Sequence, residues 1–238
     1  MIKPLLLAML FAMLLAVTAV QAADKAPLRY VVKTDGLLST DPQQPSGFQQ
    51  KMGAALAHQL GRPVRYVLLP RTRIMAALEG GGGDLLCSYL PTWMPGDVDW
   101  TRAFIPVSEV LLTMPRVTPP ASLADLRGKR LGTVLGFRYP TLEQALGKDF
   151  IRDDAPNSAL SFRKWAAGRF DHLVTTRNVI TQHAADGALP PGYHVMPILE
   201  VKTMCAVSRK SDITVAEVNA AINALEKNGA LTAILKLR

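Results

Sequence analysis

The first third of the chain alternates between two periodicities, and that alternation restricts the fold more than any other feature. "LRYVVKT" (Leu28–Thr34), "VRYVLLP" (Val64–Pro70) and "DLLCSYL" (Asp84–Leu90) are short runs rich in β-branched, aromatic and aliphatic residues, and read as strands. Between them, "FQQKMGAALAHQL" places Phe48, Met52, Ala55 and Leu56 on one helical face, and "RTRIMAALEG" turns Ile74, Ala77 and Leu78 inward. Strand, helix, strand, helix, strand is the pattern of parallel strands joined by helices, an α/β fold.

The glycine run Gly80–Gly83 falls between the second helix and the third strand. A phosphate-cradling loop needs the opposite order, strand then helix N-terminus, with Lys-Ser/Thr after the glycines. The run therefore reads as a helix-to-strand turn, with Gly80 expected to take positive φ at the helix end.

The middle repeats the theme. Ser122 and Asp125 approach a capping box before a strand at Arg130–Leu135. "GFRYPTLEQALG" reads as a loop opening a helix, with Pro140 at its first position and Gly147 at its end. A helix over "NSALSFRKWAAGRF", a strand "DHLVTT", a helix "RNVITQHAADG" and the extended "YHVMPILEVKTMCAVSRK" follow. "TVAE" (Thr214–Glu217) is a capping box whose helix continues through Ile222, Leu225, Leu231 and Leu235.

The opening "MIKPLLLAMLFAMLLAVTAVQAADKAPLRY" has Lys3, an apolar run and small residues at Val20-Gln21-Ala22. It reads as a secretory signal peptide over 1–22 rather than a membrane anchor. The net charge is +8, and Lys3 is the one charge in the leader, so the remainder carries +7. The basic residues are scattered, which points away from nucleic acid as a partner. The isolated histidines His58, His172, His183 and His194 and the two cysteines, Cys87 and Cys205, lack metal-ligand spacing, so neither a metal nor a cofactor is expected. In an exported protein such a cysteine pair can oxidise.

In order, "SGFQQKMGAALAHQLGRPVRYVLLP", "IMAALEGGGGDLLCS", "VDWTRAF", "SLADLRGKRLGTVLG", "GRFDHLVTT" and "AINALEKNGALTAIL" make the chain resemble the bacterial periplasmic solute-binding proteins of the polar amino-acid ABC-importer type. The resemblance covers nearly the whole chain after the leader. It implies a two-lobed fold of type II: lobe 1 from 23–108 and 203–238, lobe 2 from 109–202, two crossover strands, and a ligand cleft between the lobes. It also implies a monomer that captures a small molecule in the periplasm for an ABC permease or a sensor protein. In this fold the Cys205 strand returns beside the third strand as its antiparallel neighbour. Cys87 and Cys205 then either face each other and bond or remain two buried thiols.

The sequence departs from the family at its amino-acid anchors. "YLPTWMPGDVDW" offers no arginine after the third strand, Thr176 stands where an aspartate is usual, and Gln49-Gln50 follow the Gly-Phe pair. A small polar or anionic solute is therefore expected in place of an ordinary α-amino acid. Strand C-termini and helix N-termini line such a cleft, which nominates Thr34, Asp35, Arg71, Arg73, Ser88, Tyr89 and Trp93 from one side. Phe137, Arg138, Tyr139, Thr176 and Arg177 come from the other. Surface charge is the plain alternative for Arg71 and Arg73, and strand alternation sends either Ser88 or Tyr89 inward. Two further functional readings stand: an accessory module that binds a partner protein, and an enzyme resembling periplasmic cyclohexadienyl dehydratases. For the enzyme, Asp35, Asp97 and Glu109 are the acids expected near the cleft mouth.

Overall fold

The computed structural model describes residues 25–34 and 47–237. The expected leader and the candidate Asp35 lie outside the described residues. No helix among those described is long and apolar enough to cross a membrane.

Among the described residues nine strands form one mixed sheet: β1 (Leu28–Lys33), β2 (Val64–Leu69), β3 (Leu85–Tyr89), β4 (Val98–Trp100), β5 (Ile105–Thr113), β6 (Arg130–Val134), β7 (Ile151–Ala155), β8 (His172–Thr176) and β9 (His194–Ser208). Their order is β2-β1-β3-β9-β5-β8-β6-β7, with β4 also paired to β9. At the centre, β5 and β9 run antiparallel from Ile105↔Thr203 to Thr113↔His194. On either side lies a parallel set, β2-β1-β3 and β8-β6-β7. The molecule is thus two α/β halves hung on one antiparallel pair of crossover strands.

Both faces of each half are covered, as parallel strands require. In β1, Leu28, Tyr30 and Val32 face one apolar cluster with Phe48, Met52 and Leu56 of helix α1 (Gly47–Gln59). Val31 faces another, with Ile74 and Leu78 of helix α2 (Arg71–Glu79). β5 repeats this period of two in the second half. Val110 and Leu112 pack with Phe162 and Trp165, and Leu111 packs with Leu126, Leu142 and Leu146. Leu142 and Leu146 belong to helix α3 (Pro140–Leu146), Phe162 and Trp165 to helix α4 (Ser158–Ala166), and Leu126 to a short 3-10 turn; helix α5 (Arg177–Ala185) adds Ile180 to the cluster of Val110. Helices α6 (Val215–Lys227) and α7 (Ala230–Leu235) close the first half. The Thr214 box forms as expected: its hydroxyl accepts from Glu217 N–H at 3.2 Å, and Glu217 accepts from Thr214 N–H at 2.8 Å.

One glycine was misplaced by the sequence reading. Gly80 stays in the right-handed region at φ −85°, and Gly81 takes the left-handed conformation at φ 75°. Gly80 still belongs to the last helical turn, and the residue after it makes the reversal. Gly83 is there for space, since an added Cβ would lie 2.2 Å from Val31 Cγ2. This turn delivers Asp84, 3 % exposed, to Arg29, which donates to it from the backbone N–H and from the guanidinium. β7 was not anticipated. Its sequence, "IRDDA", is too polar to read as a strand, and it is an edge strand whose Asp153 and Asp154 are paired by Lys164 and Arg152.

Cys87 stands directly opposite Cys205 in the β3–β9 register, and the two form a disulfide with Cα atoms 3.9 Å apart.

Candidate functional site

A cleft of about 260 Å³ lies where the C-terminal ends of β1, β3, β6 and β8 meet the starts of α1, α2 and α5. This is the mouth between the two halves, where strand ends and helix N-termini converge.

From the first half, Arg71 opens α2 and its side chain enters the cleft. Its Nη2 donates to the Trp93 carbonyl at 2.7 Å, while its Nε is buried with no partner among the described residues. The guanidinium carbon lies 5.4 Å from the Tyr89 ring and 5.8 Å from the Phe137 ring. Lys33 Nζ sits over the same Phe137 ring at 4.4 Å. Phe137, a residue of the second half, is thus held between two cations of the first.

Ser88 and Tyr89 both line the cleft, so strand alternation does not choose between them. A bulge between Cys87 and Tyr89 is the cause, because Cys87 pairs with Cys205 and Tyr89 with Met204. Ser88 carries the extra residue. Its φ of 74° is the one positive value at a non-glycine among the described residues, and its Oγ is buried without a partner. Strain of this kind persists only where the surroundings over-determine it, and it concentrates at functional sites.

The second half contributes Glu109, Phe137, Tyr139, Ser158, Ser161, Thr176 and Asn178. Tyr139 is buried, its hydroxyl accepts from Val134 N–H at 3.0 Å, and burial pushes its phenol well above the ordinary range. Ser161 Oγ is buried with no partner among the described residues. Glu109 is 8 % exposed, and burial raises its carboxyl to about 7.

The nominated residues separate accordingly. Arg71, Ser88, Tyr89, Trp93, Phe137, Arg138, Tyr139, Thr176 and Thr34 line the cleft. Arg138 stands at its rim with the guanidinium turned to Glu143, donating from Nη2 at 2.8 Å, and that contact holds the glutamate below its usual range. Arg73 and Arg177 are corrections: both are exposed and off the cleft. A helix turns about 100° per residue, so Arg73 points away from the side Arg71 occupies, and on α5 it is Asn178 and Val179 that face in. Asp97 is a third correction. It lies on the outer surface, ion-paired with Arg209.

Lys33, Phe48, Gln49, Ser158, Ser161 and Asn178 line the cleft without having been nominated. The Ser158/Ser161 spacing of three on a helix start was the available signal. Glu109 was noted only as an acid near the mouth.

No family model and no curated protein matches this chain. Solved structures do match in shape. An ancestral arginine-binding protein bound to arginine superposes with a TM-score of 0.71 at 18% identity, over 89% of this chain and 96% of that one. An ancestral amino acid-binding protein, described as a precursor of cyclohexadienyl dehydratase, gives 0.72 at 19% identity, over 88% and 94%. A periplasmic binding protein of Salmonella typhimurium with high arginine specificity gives 0.70 at 16% identity, over 89% and 98%. The chain has the two-lobed α/β fold of these binding proteins, as the sequence resemblance implied.

Proposed function

We propose that this protein is a periplasmic solute-binding protein, which captures a small polar solute between its lobes and presents it to an ABC importer or a sensor. In this reading it is exported through the 1–22 leader and acts as a monomer. Lobe 1 comprises 23–108 and 203–238, lobe 2 comprises 109–202, and the lobes close about β5 and β9. One observation carries the reading: both halves wall one cleft that holds buried polar atoms with no hydrogen-bond partner among the described residues, Arg71 Nε, Ser88 Oγ and Ser161 Oγ. Buried donors and acceptors are satisfied in the great majority of cases, and a solute is the natural supplier in a cleft. The aromatic walls Tyr89, Trp93 and Phe137 suit a body with a flat face, and Arg71 suits an anionic group on it. Amino acids are the ligands of the similar structures named above.

Thermal unfolding against a broad solute library tests this. A true ligand at a hundred times its Kd stabilises by about 2.7 kcal/mol. No stabilisation by any solute class would overturn the proposal.

A second reading, a dehydratase-like enzyme on this scaffold, is favoured by Glu109, an acid in the cleft raised to about 7, where a general acid or base works well. Conversion of a bound solute during prolonged incubation would decide for it.

A further inference from the structure

Two acids are buried among the described residues, Asp84 and Glu109, and one of them is answered by a base. Asp84 is clamped by Arg29. Glu109, 8 % exposed, lines the cleft and receives no hydrogen bond or ion pair from any described residue. Its position is also unusual. It sits on crossover strand β5, where pairing with β9 shifts register between Glu109 and Val110. Across its other edge it stands directly opposite Thr176, at the cleft end of β8.

The groups around Glu109 leave its carboxyl open. On β8 its neighbour is Thr176, which does not titrate. On β9 its neighbour is Leu199, and Glu200 beside that is exposed and faces Ser108. Tyr139 is near enough for Glu109 to oppose its ionisation, and Arg152 and Asp154 there pair with each other. Arg138 is occupied by Glu143 at the rim. The cations Lys33 and Arg71 belong to the opposite wall and embrace Phe137. A carboxyl withdrawn from water with no donor is unfavourable, and in a ligand cleft the missing donor comes from outside.

We propose that Glu109 selects the solute, its carboxyl receiving a cationic, hydrogen-bond-donating nitrogen (ammonium, amidinium or guanidinium) at the strand crossover. The inference rests on the solute-binding reading and names the ligand class for it. The nitrogen sits at the floor of the cleft in the second lobe, and the body of the solute extends toward Tyr89, Trp93 and Arg71. Because β5 is a crossover strand, the ion pair forms at the hinge itself. Pairing requires the ionised carboxylate, so cations bind more tightly at pH 8 than at pH 5.5.

The experiment compares wild type with Glu109→Gln by calorimetry at both pH values. Arginine, agmatine, putrescine and benzamidine form one arm, and benzoate, succinate and glucose the other. The expected result is a cation that binds wild type at pH 8, at least tenfold more weakly at pH 5.5, and at least tenfold more weakly to Glu109→Gln at pH 8. Equal binding of that cation by both proteins overturns the assignment. Binding confined to benzoate, succinate or glucose overturns it too, while leaving solute capture intact. If none of these probes binds wild type, selection by Glu109 is overturned and the broad library decides solute capture separately. A measurement on the empty proteins guards against misfolding. The raised folded value means that wild type loses stability as pH rises from about 4.5 through about 7. Glu109→Gln should therefore melt higher than wild type at pH 8, with the difference vanishing below pH 4.5. A lower melting temperature at pH 8 would show that the carboxylate is already satisfied, and would overturn the proposal.

Discussion

The two halves of the cleft have matching topology and reach rigidity by different means. In the first, the cleft wall is held by a covalent bond and a clamp: Cys87 is tied to Cys205, and Arg29 grips Asp84 at the start of β3. In the second, the work is done by aromatic packing. Trp165 is fully buried with its indole N–H donating to the Asp171 carbonyl at 3.2 Å, and Phe162 packs between it and His183. The difference explains where strain is tolerated. The left-handed Ser88 follows directly on the bonded Cys87, so the cross-link holds the bulge against relaxation. The packed half shows no positive φ outside glycine among its described residues. A covalent staple lets one wall keep an unfavourable backbone; a packed wall keeps ordinary geometry.

Truncating the packing anchor should have the largest effect. Trp165→Ala is expected to lower stability by about 3–5 kcal/mol, the usual range for emptying a large aromatic site, read from denaturant unfolding. Removing the staple with Cys87→Ala and Cys205→Ala should cost about 2–4 kcal/mol. The combined variant separates the two devices: the losses should add to within about 0.5 kcal/mol if the halves are held independently, and a clear departure would break the comparison. At the level of binding, Arg71→Ala should weaken an anionic ligand by about 1.5–3 kcal/mol, the range for hydrogen bonds to charged groups. An unchanged Kd would remove Arg71 from the site. The smallest effect has the opposite sign. Ser88→Gly should raise stability by about 1 kcal/mol by relieving the left-handed strain, and a fall in melting temperature would show that the stapled wall stores none.

What was legible in the sequence was what is decided locally. The alternation of periods gave the α/β halves, and "TVAE" gave a cap, because both depend on neighbours a few residues away. β7 was missed because its aspartates are answered only in the assembled fold, Asp153 by Lys164 of α4 and Asp154 by the Thr133 hydroxyl of β6 as well as by its strand neighbour Arg152. Arg71 and Arg73 looked alike as basic residues at a helix start, and two steps of helical rotation separate a cleft residue from a surface one. For Ser88 and Tyr89 the alternation rule failed, since it assumes an unbroken ladder and the bulge breaks it. Glu109 was visible as an acid, but its want of a partner is a property of the assembled space around it.

Phe137 reaches across the cleft mouth into the grip of Lys33 and Arg71. These contacts join the two halves without any ligand, so in the proposed solute-binding reading they would favour the shut conformation of the empty protein. For a partner that reads the shut shape, this would set a background in which an unloaded molecule resembles a loaded one part of the time. The contrast between the two is the ligand's differential affinity for open and shut states, measured from that raised baseline. In that reading Phe137 would trade discrimination for readiness, since a contact that favours closure without ligand narrows the difference a ligand can make.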